Sequence, residues 1–440
     1  MLEITKQEGE GPDYSLMRLK LGIKVTAWSD CMLAALVNGV KGNKWFSLID
    51  KIISRDTMLA AWELVERNQG AAGVDKVTIE KFGLKYPQYL TEMQNDVKSG
   101  VYKPLQIRRV YIPKGDGKMR PLGIPCVKDR IVQCAIKLII EPIFENEFVE
   151  NSFGFRPGKG CKDALRKVQE NLDQGYVHVV DADLSSYFDT IPHENLMERV
   201  QEKIADGKVL KLIRGFLEQG ILEECKEWIP ESGCPQGAVL SPLLSNVYLH
   251  PLDQLMIEKG IRMVRYADDF VIMCKTKEEA QMAFIIAEEW VKKNGLSFNQ
   301  NKTHIGNCQI PGEGFEFLGY RFDNNERQVR KKSLNKFKDK IRELTRRNNG
   351  RSLDQIIFKL NQVLVGWFGY FKHAHKWTFG TLDGWIRRRL RAILKKHKKE
   401  KGMGKTLNDH VRWPNKFFAE KGLFSLEMAR KRAISALKPS

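Results

Sequence analysis

Two adjacent carboxylates, Asp268 and Asp269, lie between Ile261-Arg262-Met263-Val264-Arg265 and Phe270-Val271-Ile272-Met273-Cys274. The first run alternates and the second is apolar and β-prone, so the acidic pair reads as a tight turn between two strands. Like charges side by side repel, and folding does not ask for them; a divalent cation would neutralise both. Asp is also a common turn former, so on these residues alone a solvated hairpin tip is an equal alternative. A second acidic run has a similar approach. The β-prone Tyr176-Val177-His178-Val179-Val180 leads into Asp181-Ala182-Asp183-Leu184-Ser185-Ser186-Tyr187-Phe188-Asp189, as a strand would that delivers carboxylates to one edge of a sheet. Capping a helix start is the alternative, more reasonable for Asp189 than for Asp183.

The elements that would position these groups are legible in outline. Ile107-Arg108-Arg109-Val110-Tyr111-Ile112-Pro113-Lys114 turns through Gly115-Asp116-Gly117-Lys118 into Met119-Arg120-Pro121-Leu122-Gly123-Ile124-Pro125, a hairpin pattern. Its Lys114 and Arg120 could lay two cations on a triphosphate, the Arg through its planar fork, although taken alone an ordinary basic hairpin is the better reading. Gly233-Cys234-Pro235-Gln236-Gly237 is a loop running into a helix capped near Ser241, with Pro242 at its first position. Apolar spacing predicts two amphipathic helices from Trp45 to Asn68, the second capped by Asp56-Thr57. Further helices are expected over 129–148, 194–219 and 277–293, with strands at 296–302 and 315–320.

At 440 residues, 42% hydrophobic and 29% charged, the chain is a folded protein of two or three domains. Its net charge of +19 is not evenly spread. Between Arg327 and Lys405 lie 24 basic and 5 acidic residues, leaving 49 of each sign elsewhere. One helical-looking segment, with helices over 334–347, 353–371 and 382–399, therefore carries the whole excess, as a polyanion-binding surface would. Arg387, Arg388, Arg389 and Arg391 are its densest run. The eight cysteines form no Cys-x-x-Cys pair, which argues against a zinc knuckle or disulfide framework and for reduced thiols in an intracellular protein. No apolar run approaches the roughly 20 residues that cross a bilayer.

The order of these pieces resembles the motif series of reverse transcriptases: Asp183-Leu184 with Phe188-Asp189, Pro235-Gln236-Gly237 with Ser241-Pro242, Tyr266-Ala267-Asp268-Asp269, Lys302, and Leu318-Gly319. Ile112-Pro113-Lys114 with Arg120 to Pro125, and Ser152-Phe153-Gly154-Phe155-Arg156-Pro157, narrow the likeness to bacterial group II intron reverse transcriptase/maturases, from about Trp45 to Phe424. Each tetrapeptide is weak alone; five or more in order are strong.

The resemblance implies an α+β right-hand polymerase. Its expected divisions are an extension over 1–44, fingers and palm over 45–325, a helical thumb or maturase region over 326–396 and a basic nucleic-acid-binding tail over 397–440. It implies that Asp183, Asp268 and Asp269 hold two Mg²⁺ ions, with Mn²⁺ as a substitute, and that Lys114, Arg120, Phe188, Gln236 and Lys302 contact the deoxynucleotide. Phe188, five residues after Asp183, would stand under the sugar and exclude a 2′-hydroxyl; a plain core role is the alternative. The implied partners are group II intron RNA, an RNA template with a DNA primer, deoxynucleotides and target DNA, in a bacterial cytoplasm and without a membrane. The implied function is splicing assistance and copying of the intron RNA into cDNA for retrohoming. Competing readings are an RNA-binding splicing factor with vestigial polymerase activity and a stand-alone reverse transcriptase serving defence or sequence diversification. Ala238 stands where a second Gly is common. The sequence also lacks the Cys/His-rich nuclease segment of many relatives, so priming from elsewhere, such as a replication fork, is expected.

Overall fold

The computed structural model describes residues 14–113, 119–223, 226–228, 232–348 and 350–435. The chain divides into two compact units, one formed by residues up to 176 with 182–305, the other by 177–181 with 306–440. Helices and mostly antiparallel sheets occur in separate runs, the α+β class that the motif order implies.

The first unit is built on the helix Val127–Glu145. Ile131, Ala135, Ile136, Ile139 and Ile140 are fully buried along it, and each buried Ile contributes about 1.5–3 kcal/mol. The helix Arg55–Asn68 packs against it. That helix is capped by Ser54, whose side chain accepts from the Thr57 amide at 3.2 Å, so Asp56 and Thr57 lie inside the first turn instead of capping it. The N-terminal stretch is part of the same unit. Its described part contains the helices Ser15–Lys20 and Asp30–Asn38. Trp28 is completely buried, with its indole N–H donating to the Leu138 carbonyl.

Strand β1 (Ile107–Pro113) pairs antiparallel with β2 (Met119–Ile124), setting Ile112 opposite Arg120. Short strands β4 (Ile221–Glu223) and β5 (Lys226–Trp228) complete that sheet in the order β2-β1-β4-β5. A second sheet has the order β6-β7-β3-β8, from β3 (His178–Asp183), β6 (Arg262–Tyr266), β7 (Asp269–Cys274) and β8 (His304–Asn307). Residues 296–302 are not the expected strand. Phe298 makes a single bridge to Leu184. The chain then turns, because the Asn299 carbonyl takes the amides of Lys302 and Thr303 while its side chain takes that of Asn301.

In the second unit, 315–320 is not one strand but the start of a hairpin. Strands β9 (Phe315–Phe317) and β10 (Tyr320–Asp323) meet at Leu318-Gly319, both with positive φ (47° and 82°), and β11 (Glu326–Val329) follows. Two positive φ values in a two-residue connection match the twist of the flanking strands. The helices Lys331–Leu344, Leu353–Phe371 and Trp377–His397 follow. Helix Leu426–Ser435 packs back on Trp377–His397, where the buried Asp383 accepts from the amides of Leu426 and Glu427.

Candidate active site

The hairpin β6–β7 closes over two residues, Ala267 and Asp268, with Tyr266 opposite Asp269. Ala267 has φ +60° and Asp268 is not among the positive-φ residues, a pattern in which Gly usually fills the first place. A side chain there costs on the order of 1–3 kcal/mol and persists only where the surroundings over-determine it. They do so here. Arg265 is completely buried and donates to the Ala267 carbonyl at 2.9 Å. A Cβ on Gly154 would lie 2.2 Å from the Ala267 nitrogen, so only glycine lets the Phe153-Gly154 backbone lie against the turn.

Strand β3 is the neighbour of β7 in the sheet order and ends at Asp183. Burial pushes the Asp268 carboxyl above its ordinary range, and the nearby Asp183 charge adds to the rise. Arg120, from β2, acts on Asp268 in the opposite sense. Asp183 itself is half-exposed, and its Oδ2 accepts from Lys302 Nζ at 2.6 Å. The turn at Asn299 brings Lys302 there, with the Asn299 amide donating to the Asp183 carbonyl. Asp269, expected in the same set, begins β7 and is half-buried. Asp181, two residues before Asp183, accepts from the Glu316 amide at 3.3 Å within the second unit.

Among the described residues no three His, Cys, Asp or Glu side chains converge on one point as a ready-made cage. Mg²⁺ does not require one. It is a hard cation usually bound through one or two carboxylates, with water and substrate phosphates completing the shell. Two mutually repelling carboxylates faced by Lys302 and Arg120 are a donor set that such an ion fits.

The residues expected around the nucleotide divide as follows. Lys114 lies outside the described residues. Arg120 is exposed on β2 and acts on Asp189 as well as on Asp268. Phe188 is half-exposed, whereas the adjacent Tyr187 fills the core, 2% exposed with its hydroxyl donating to the Ser245 carbonyl. The Phe188 ring packs edge-on against Tyr187, with centroids 5.4 Å apart. The Phe188 carbonyl accepts from the Cys234 amide at 2.6 Å, which ties it to the Gly233–Gly237 loop. That loop is anchored at its other end, where the Gln236 carbonyl accepts from the Gly123 amide of β2 at 2.6 Å. Ser241 does not cap the following helix in the expected way. It is the first residue of Ser241–Glu258, and its hydroxyl donates to the Pro235 carbonyl, closing the loop instead.

The arginine run in the second unit is a partial correction. Arg391 is 1% exposed, its guanidinium donating to the Trp413 carbonyl and Asn415, so it does not offer its charge to RNA at the surface. Chain that returns after the helix Trp377–His397 covers that face and needs a donor there. Arg389 is half-buried and bonds Thr345 and the Arg342 carbonyl. Arg387 and Arg388 are half-exposed.

Sequence reasoning missed Arg265, Asp253 and Asn246, which hold the turn from behind. One signal was present: period-2 alternation puts Arg265 on the same face as the buried Met263 and Ala267, an odd place for an unpartnered arginine.

Comparison with known proteins fits this geometry. Residues 112–322 match the family "Reverse transcriptase (RNA-dependent DNA polymerase)" and residues 334–413 match "Group II intron, maturase-specific domain". The chain is 34% identical to Protein YkfC of Escherichia coli over 340 residues, 67% of this chain and 87% of that protein. It is 35% identical to the group II intron-encoded protein LtrA of Lactococcus lactis, over 49% of this chain but 37% of LtrA. A putative COX1/OXI3 intron 2 protein of Saccharomyces cerevisiae is 31% identical over 46% of this chain and 24% of its own length. No helix among the described residues is long and apolar enough to cross a membrane. With the ordered motifs, both domain matches and a relative covered over most of its length, the chain belongs to the group II intron reverse transcriptase/maturase family.

Proposed function

We propose that this chain copies RNA into DNA where Asp183 and Asp268 lie in its first unit and binds folded intron RNA through its basic second unit. The observation that carries the first part is the nearness of Asp183 to the half-buried turn carboxyl Asp268, each faced by a cation. Asp183 and Asp268, with Asp269 beside them, would hold divalent ions. When bound, such ions supply Lewis-acid activation of the primer 3′-hydroxyl and neutralise the departing pyrophosphate. The exposure of Arg120 and its influence on Asp268 support its reading as a triphosphate-binding cation, a task that suits a planar guanidinium. The Phe188 carbonyl is tied to the loop that carries Gln236 and its side chain is half-exposed, which supports its reading as the sugar-selecting residue. The second unit would grip RNA through phosphates and shape, with Arg387 and Arg388 as contributors and Arg391 as scaffold. Intron RNA, an RNA template with a DNA primer, deoxynucleotides and target DNA are the partners of this reading, and splicing followed by retrohoming is its biological setting.

The test is primer extension on an RNA template with Mg²⁺ and deoxynucleotides, run beside Asp268→Asn/Asp269→Asn. Extension by the wild-type chain and its loss in the double variant are expected. Absence of extension, with salt-sensitive intron RNA binding intact, would favour the splicing-factor reading.

A further inference from the structure

The geometry points to Arg265 as the positioning residue of the acidic turn, acting through a closed network with Asp253, Asn246 and Gly154. This inference rests on the polymerase reading of Asp183 and Asp268. Arg265 precedes Tyr266 and is completely buried. Its Nε and Nη2 donate to the two carboxylate oxygens of Asp253 at 2.7 and 2.5 Å. Its Nη1 donates both to Asn246 Oδ1 and to the Ala267 carbonyl, each at 2.9 Å. Burial works against its charge and Asp253 outweighs that, so the guanidinium stays ionised.

Asn246 closes the circuit, because its Nδ2 donates to the Gly154 carbonyl at 2.8 Å. Gly154 in turn lies against the Ala267 nitrogen. Its segment is bonded to β6 just before that contact, Phe153 N to the Arg265 carbonyl at 2.9 Å and Arg265 N to the Asn151 carbonyl at 3.0 Å. The carbonyl of the peptide before Asp268 is therefore held by Arg265, while the Gly154 backbone lies against the nitrogen of the preceding peptide. One planar fork serves Asp253, Asn246 and Ala267 at once, which a lysine ammonium cannot reproduce. Ala267 keeps its unusual positive φ because of this clamp, and the direction in which Asp268 leaves the turn follows from it.

The network touches no reacting atom, so its expected effect is on metal binding and turnover rather than on template grip. Asn246→Ala leaves the Arg265–Asp253 pair intact and is the variant of choice; Arg265→Lys serves as a second, harsher one. We expect Asn246→Ala to weaken Mn²⁺ binding, followed by electron paramagnetic resonance titration, by about 10-fold or more, the usual range for residues that orient metal ligands. Turnover at saturating deoxynucleotide should fall by a similar factor, with template–primer affinity and melting temperature close to wild type. Wild-type Mn²⁺ affinity and turnover in Asn246→Ala would overturn the inference. So would a loss matched by equal losses of template affinity and melting temperature, since the network would then support only the fold. A wild-type chain showing neither extension nor an Mn²⁺ site that Asp268→Asn removes would overturn the polymerase reading itself, whatever Asn246→Ala does.

Discussion

Lys302 and a divalent ion compete for the same carboxylate, and that competition has a predictable size. Lys302 Nζ lies 2.6 Å from Asp183 Oδ2, with side-chain exposures of 60% and 39%. A pair this exposed is screened by solvent, so its worth is about 0.2–1 kcal/mol and not the several kcal/mol its length would suggest in a dry interior. An ion binding Asp183 must displace the ammonium or share the oxygen with it. Lys302→Met removes that competitor and should tighten Mn²⁺ binding by about 1.4- to 5-fold, the same energy expressed as a ratio. Stability should change by no more than about 1 kcal/mol. If Lys302 also contacts the nucleotide, KM for the deoxynucleotide should rise in the same variant. The two measurements then move in opposite directions, one read by spin resonance without nucleotide and the other by single-nucleotide extension. Unchanged or weaker Mn²⁺ binding in Lys302→Met would refute the competition.

Phe188→Ala should raise ribonucleotide use relative to deoxynucleotide use by about 10- to 100-fold, a range set by what steric pockets discriminate; an unchanged ratio in competitive extension would remove Phe188 from the sugar site. Glu145→Gln should cost about 3–5 kcal/mol in urea unfolding, because it strands Arg156 in a pair that is 3% and 4% exposed. A loss under about 1 kcal/mol would show that the Phe153–Arg156 segment does not depend on that pair. Asp268 has a raised carboxyl, so it binds its proton more readily in the folded chain. The stability it contributes is present below the unfolded value of 3.8 and lost as pH rises through the raised folded one. Asp268→Asn should therefore abolish extension yet melt no lower than wild type at neutral pH in chelator; a large fall in melting temperature would contradict this.

What the sequence made legible was local. Alternation before Asp268 and an apolar β-prone run after it implied the β6–β7 hairpin, and the β-prone approach to Asp183 implied β3, because each pattern lies within a few residues of the group it positions. The buttress was not legible, since Arg265, Asn246, Asp253 and Gly154 come from three separate stretches that only the folded chain brings together. Short-range chemistry also overrode propensity. Phe298 is a good strand residue, but the Asn299 turn ends pairing after one bridge and brings Lys302 to Asp183. Charge counting found the basic segment but misjudged one of its residues, Arg391. A run of arginines identifies a basic helix, but not which guanidinium the fold needs for itself. Arg391 shares the buried side of its helix with Leu390 and Ile393 and serves the returning chain at Trp413, while Arg387 and Arg388 keep partial exposure. The polyanion-binding capacity of such a segment is therefore set by the cations left over after internal carbonyls are satisfied, and that remainder depends on packing that no local pattern encodes.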